Sequence, residues 1–318
     1  MPILRTILAA LLAAFIAAPA AAQLELKIMA PAGPGGGWDQ TARAMQHAMV
    51  AAGAAKSVQV TNVPGAGGTV GLAQLASAAK GDGAQLMVNG FVMVGAILTN
   101  NAPVTLEQTT PIARLTGEYL AIVAPADSAI KSVADLAAAV KADPGKVRWA
   151  GGSAGGVDHI AAALFARAVG GDPTKINYIP FSGGGEALAA IMGGKVTAGI
   201  SGYGEFEGQI KAGKLRLLAV TAPRRLPGVE APTLKEQGVE LELANWRSVV
   251  APPGLSAAQR QALLDAVDKM AKSPAWAETL KQRGWDDAYL PGDAFVDFLK
   301  QEQARVAEVL KSVGLIKS

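Results

Sequence analysis

The stretch WAGGSAGGVDHI, residues 149–160, sets Gly151, Ser153 and Gly155 in a G-x-S-x-G spacing. In hydrolases that spacing exposes a nucleophilic serine on a sharp strand-to-helix turn. Such a serine needs a histidine to accept its proton and an acid to orient the histidine. The chain has 2 histidines, His47 and His159, and neither comes late in the sequence, where that hydrolase order requires one. His159 sits one to two helical turns past Ser153 and is poorly placed to reach back with an acid behind it. A secreted serine hydrolase using Ser153 is therefore the least favoured function, and no catalytic residue is assigned. Ser153 reads instead as a hydroxyl donor or a cap at a helix start. With 2 histidines and no cysteine, neither a metal site nor a cofactor is expected.

The turn at Ser153 is one of four alike, each following an apolar strand and preceding a helix. The others are Gly33-Pro34-Gly35-Gly36-Gly37-Trp38-Asp39, Gly65-Ala66-Gly67-Gly68-Thr69 and Ser182-Gly183-Gly184-Gly185-Glu186. Helix starts leave backbone N–H groups unpaired and carry about half a positive charge from the helix dipole, so each turn is a potential anion site. A single such turn often needs glycine for geometry alone. Four of them, two in each half of the chain, point to one ligand held between domains. Nucleotide signatures do not fit, because Val70 stands where G-x-G-x-x-G needs its third glycine and no G-x-x-x-x-G-K-[ST] stretch occurs. Within the first turn, Asp39 is expected to cap the helix, and Trp38 either walls a cleft or packs under the loop. His159 is either a core histidine or a donor near the ligand. Arg43 lies one turn into the first helix, and no arginine falls inside the four turns.

The elements that hold these turns are short β-branched runs alternating with Ala-rich segments, the pattern of βαβ units on a largely parallel sheet. Strands are predicted at residues 24–29, 58–63, 85–89, 120–124, 146–150, 176–180, 196–200 and 215–221. Helices are predicted at residues 41–50, after Ser132 and at residues 159–169, with two more beyond Pro252: one capped by Ser256, one carrying the Phe295, Phe298, Leu299, Val306 and Leu310 stripe. Chain crossings between domains are expected near residues 118–123 and 219–225, with residues 246–251 as an alternative.

At the N-terminus, Arg5, the apolar run from Ile7 to Ala18 and the small residues Ala20, Ala21 and Ala22 form a secretory leader, with cleavage expected after Ala22. No later stretch approaches the roughly 20 apolar residues of a spanning helix. Lys and Arg number 29 against 26 Asp and Glu, scattered along the chain, which argues against a nucleic-acid surface. A periplasmic location follows from the leader.

The stretches APAGPGGGWDQTARAMQ, NVPGAGGTVG, WAGGSAGGVDH, IPFSGGGEALAAIMGGKVTAGISGYGE and LRLLAVTAPRRLPGVEAPTLKEQG, in this order, resemble the extracytoplasmic solute receptors of the tripartite tricarboxylate transporter family, the TctC or Bug proteins. The resemblance implies an α/β type II periplasmic-binding-protein fold: two α/β domains joined by crossing hinge strands, with a carboxylate in the cleft. It implies domains at residues 23–122 plus 225–318 and at residues 123–224. It further implies a receptor, expected to be monomeric, that delivers its ligand to membrane permease subunits. The GPGGGWDQTAR form of the first turn resembles the branch associated with citrate and related tricarboxylates; a dicarboxylate or aromatic-acid receptor, or a sensory binding protein, is the alternative. Carried over position by position, the ligand contacts fall on Gly36, Gly37, Trp38 and Asp39, on Gly67, Gly68 and Thr69, and on Ser153, Ala154, His159, Ser182 and Gly183. Tyr203 and Asn89 are further polar candidates.

Overall fold

The computed structural model describes residues 24–181 and 184–317. The expected leader and its cleavage point after Ala22 lie outside these residues, as do Ser182 and Gly183. Among the described residues, one curled sheet of 10 strands runs in the order β2-β1-β3-β9-β4-β7-β5-β6, with β8 and β10 also paired to β4.

One half of the sheet is built from β1 (Glu25–Ala30), β2 (Ser57–Asn62) and β3 (Gln85–Gly90), all parallel, then the antiparallel β9 (Ala244–Ala251) and β10 (Asp286–Pro291). The other half holds parallel β5 (Arg148–Gly151), β6 (Asn177–Pro180) and β7 (Ala198–Gly202), and β8 (Leu215–Val220). The 16-residue β4 (Thr110–Pro125) belongs to both. It pairs with β9 from Thr110 to Tyr119, then with β7 from Leu120 to Val123. The sheet is thus parallel at its outer strands, as predicted, and antiparallel where the chain crosses between halves.

A second crossing is tied to the first at Thr221. Its N–H donates to Leu120 O at 2.9 Å and its hydroxyl donates to Leu243 O at 2.7 Å, while the Leu120 N–H donates to that hydroxyl at 2.9 Å. The side chain is fully buried. The changeover on β4 falls inside residues 118–123 and Thr221 inside residues 219–225, while β9 stays in the first half. Three strand stretches were not among the predicted strands: the first two-thirds of β4, β10, and β9, whose residues 246–251 were offered only as an alternative crossing. Residues 110–119 carry Arg114, Thr116 and Glu118 among apolar neighbours, which hides a strand buried on both faces.

Ten helices cover this sheet among the described residues. In chain order they are α1 (Gly37–Ala51), α2 (Thr69–Ser77), α3 (Phe91–Thr99), α4 (Val133–Ala142), α5 (Val157–Ala168), α6 (Gly184–Met192), α7 (Tyr203–Lys211), α8 (Ala257–Ala271), α9 (Pro274–Arg283) and α10 (Gly292–Ser312). Ser132 caps α4, accepting from the Asp135 N–H, and Ser256 closes a capping box with Gln259 on α8. The stripe on α10 buries Phe295, Leu299, Val306 and Leu310, so that helix is a packing element. No described helix is long and apolar enough to cross a membrane.

Candidate functional site

Three of the glycine turns end at one cleft of about 290 Å³, the low end for small-molecule sites. From the first half of the molecule it is lined by Gly36, Gly37 and Trp38, by residues 65–68, and by Val92 and Asn100 on or beside α3; from the second, by Gly152, Ser153, Ala154, Pro180 and Phe181.

Each turn takes its shape from local chemistry. In the first, Gly36 is the N-cap of α1 and makes no side-chain cap, so the amides of Gly37 and Trp38 have no intrahelical acceptor. Asp39 does not face the cleft. Its carboxylate folds back to accept from the Gly35 N–H at 2.9 Å and from Asn62 Nδ2 at 2.9 Å, and it pairs with Arg43 at 3.0 Å. Burial works against that charge, yet the hydrogen bonds from Arg43, Gly35 and Asn62 hold the Asp39 carboxyl below its ordinary value. The carboxylate is thus neutralised behind the turn, away from any anion in front of it. Arg43 is spent on Asp39.

In the second turn Gly65, Ala66, Gly67 and Gly68 all have positive φ, at 138°, 46°, 65° and 89°. Ala66 alone carries a side chain in this run, in a conformation that costs an L-residue about 1 kcal/mol or more. Its carbonyl accepts from Thr69 Oγ1 at 2.9 Å and Asn100 Nδ2 at 3.1 Å. Thr69 therefore closes its own turn and does not line the cleft. Gly68 has no room for a side chain, since a Cβ there would come within 2.7 Å of Trp38 Cζ3 and of Met93 Cε.

In the third turn, the Gly155 N–H donates to His159 Nδ1 at 3.1 Å, and the imidazole stacks on Tyr178 with centroids 4.2 Å apart. Burial lowers His159 to a pKa of about 4, so it is neutral and supports the turn from behind. It reaches neither the cleft nor Ser153. The Ser153 hydroxyl makes no hydrogen bond among the described residues. A Cβ at Gly67 would stand 3.4 Å from Ser153 Cβ, which places the second and third turns face to face.

Of the remaining expected contacts, Ala154 lines the cleft, whereas Asn89 and Tyr203 do not. Asn89 is fully buried and accepts from Ser248 Oγ at 2.7 Å. Tyr203 opens α7 away from the lining. Structure thus brings Gly36, Gly37, Trp38, Gly67, Gly68, Ser153 and Ala154 together and leaves Asp39, Thr69, Asn89, His159 and Tyr203 outside.

The floor of the cleft holds what sequence reasoning missed. Asp158, Ser201, Glu205, Asn245 and Arg247 all line it. Arg247 on β9 is 2% exposed and is ion-paired with Glu118 on β4, itself 4% exposed; Arg247 Nη2 also lies 3.9 Å from Glu205 Oε1. Asn245 Nδ2 donates to Glu118 Oε1 at 3.2 Å, Ser201 Oγ to Glu205 Oε1 at 3.1 Å, and the Gly152 N–H to Asp158 Oδ2 at 2.7 Å. Burial, reinforced by the Glu118 charge, raises Asp158 to about 7 and Glu205 to about 8. A signal for this cluster was present: Glu118 and Arg247 are charges within strands that end in apolar runs, where a buried ion is retained only with a partner.

With that geometry in view, comparison with known proteins decides the family. Residues 41–315 match the tripartite tricarboxylate transporter family receptor. The chain belongs to that family. It is 30% identical to the UPF0065 protein in the TAR-I ttuE-ttuC' intergenic region of Agrobacterium vitis, over 90% of this chain and 84% of that one. The fold is similar to that of the periplasmic binding protein BugD, with TM-score 0.83 and 25% identity over 92% of this chain and 99% of BugD. It is also similar to MatC (Rpa3494) from Rhodopseudomonas palustris with bound malate, with TM-score 0.77 and 23% identity over 90% and 98%. The two-lobed type II binding-protein architecture is that of these receptors, and a receptor of this family binds its solute and does no chemistry on it. The G-x-S-x-G spacing at Ser153 lies on one wall of the cleft.

Proposed function

We propose that this receptor captures a small carboxylic acid in the periplasm and hands it to the permease subunits of a tripartite tricarboxylate transporter. The observation that carries the reading is the convergence of three glycine turns, from both halves of the sheet, on one small cleft. Free amides at the start of α1 and the Ser153 hydroxyl supply neutral donors for one carboxylate. Each hydrogen bond to a charged group contributes about 1.5–3 kcal/mol, so micromolar affinity, roughly 8 kcal/mol, needs turns from both halves engaged at once.

On this reading Gly36, Gly37, Trp38, Gly67, Gly68, Ser153 and Ala154 bind ligand, and the residues named earlier that stand behind the turns shape them. Residues 23–122 with 225–318, and residues 123–224, act as the two lobes, bending where β4 changes partners at Tyr119 and Leu120 and where Thr221 ties the second crossing. The leader is removed after Ala22, and the receptor works as a monomer. Citrate or a related tricarboxylate is the favoured ligand from the form of the first turn; MatC, of the same fold, holds the dicarboxylate malate.

A thermal-shift panel of mono-, di- and tricarboxylates at matched ionic strength tests this reading. At least one acid is expected to raise the melting temperature, and a panel with no stabilising acid overturns the proposal. Co-purification with the permease subunits, strengthened by that acid, tests delivery.

A further inference from the structure

The cleft has two chemically different ends. The glycine turns offer only neutral donors, whereas the floor gathers three carboxyl groups, Glu118, Asp158 and Glu205, around the single guanidinium of Arg247. One positive charge does not balance three carboxylates out of water, and Asp158 and Glu205 hold protons that isolated carboxylates would release.

A second observation is independent of that charge count. Arg247 Nη1 is buried and has no hydrogen-bond partner, although Arg247 lines the cleft and its Nη2 is engaged with Glu118. A buried, charged donor left unpaired is costly, and an acceptor arriving with the ligand removes that cost. The best acceptor for a guanidinium is a carboxylate.

We propose that Arg247, Glu205 and Asp158 form a second subsite, which receives a remote carboxylate of the ligand and takes up a proton from solvent as it does so. The inference rests on the carboxylate-receptor reading above and adds what the far end of the ligand must be. Arg247 Nη1 donates to the incoming carboxylate, and a protonated Glu205 or Asp158 donates to it as an acid. With both acids ionised, the same carboxylate meets the like charges of Glu205, Asp158 and Glu118 around the guanidinium.

The groups facing the pair support this from each packed element. Asp158 on α5 faces the Gly152 amide, Tyr178 on β6, Ser201 on β7, Glu118 on β4 and Arg247 on β9. Glu205 on α7 faces Ser201, Glu118, Arg247 and Asp158. Arg283 on α9 packs on the Trp285 ring at 5.1 Å, as Arg247 does at 5.2 Å, and donates to Gln40 at 3.0 Å. The raised values of about 7 for Asp158 and about 8 for Glu205 put the uptake where free dicarboxylic acids are already fully ionised.

Titration calorimetry with succinate as the probe and butyrate as its one-carboxylate control, at about pH 8 in two buffers of different ionisation enthalpy, reads the protons directly. Succinate is expected to bind with uptake of about 0.5–1 proton per site, its Kd rising up to about tenfold per pH unit from about pH 7 to about pH 9. Butyrate is expected to bind more weakly without that slope. Glu205→Gln keeps a donor that cannot ionise and should reduce the uptake by at least half, with circular dichroism checking its fold. Succinate binding with no uptake, or an equal slope for butyrate, overturns the subsite and leaves the receptor reading intact. Proton release on succinate binding likewise overturns it. If neither these acids nor citrate binds, both readings fall.

Discussion

Gly37, the first residue of α1, lies directly against the guanidinium of Arg247 on β9; a Cβ at position 37 would overlap Nη2. The glycine turn and the charged floor are therefore one fitted unit. Arg247 keeps its place beside Glu118 only while position 37 has no side chain.

Gly37→Ala is accordingly expected to displace the guanidinium, lowering stability by about 1–3 kcal/mol, as overpacking does, and weakening ligand binding at least tenfold. Gly208→Ala is the control: it lies in α7 with open space around it and should be neutral or stabilising by up to about 1 kcal/mol. Urea melts and calorimetry on both variants check the pair. Wild-type affinity in Gly37→Ala would separate Arg247 from ligand binding.

Trp38 has one edge on the cleft but is 7% exposed and packed on Gly68. Sequence alone leaves Trp38 either walling the cleft or packing under the loop. The burial changes that balance. Trp38→Ala should cost about 3–5 kcal/mol of stability, the range for emptying an aromatic site in a core, with loss of binding as well. Trp38→Phe should recover most of the stability. Denaturant melts separate the outcomes: a cost below about 1 kcal/mol for Trp38→Ala would mean that the indole is a cleft wall only.

Much of this arrangement was legible because it depends on local chemistry. Glycine runs after apolar strands mark helix starts wherever they occur, and Ser132 and Ser256 cap the helices their positions predict. The polar contacts were less legible, because Asp39, Thr69 and His159 have a local partner within four residues that satisfies them behind the turn. Sequence spacing shows that a polar group is near a turn, not which side of the backbone it faces. The floor was hidden for the opposite reason. Glu118 and Arg247 are 129 residues apart, and only the pairing of β4 with β9 brings them together.

His159 supports the Gly155 turn as a neutral acceptor, with burial holding its pKa at about 4 against an ordinary 6.5. The folded state therefore binds fewer protons than the unfolded chain between those values, and stability falls as pH drops from about 6.5 through about 4. His159→Gln offers an acceptor that does not titrate. The stability difference between wild type and this variant should shrink across that window, measured by denaturant melts at several pH values. A constant difference would mean that the imidazole is not the neutral partner of Gly155.

The floor titrates in the other direction. Asp158 and Glu205 have folded values of about 7 and about 8, raised from ordinary values of 3.8 and 4.5, first by burial and then by the neighbouring Glu118 charge. The folded state holds protons that the unfolded chain has already released, so their contribution to stability is fully present at low pH. It is lost as pH rises from about 4 through about 7 and about 8, at up to about 1.4 kcal/mol per pH unit for each group. Ligand-free receptor should thus lose stability between about pH 6.5 and about pH 8, where His159 no longer contributes a slope, and Glu205→Gln should flatten part of that decline. Asp158→Asn should flatten the rest below about pH 7 if its amide oxygen keeps the Gly152 hydrogen bond. Equal slopes in wild type and both variants, read from urea midpoints at half-unit pH steps, would show that the two carboxyls are ionised in the folded receptor and that Arg247 alone balances the floor.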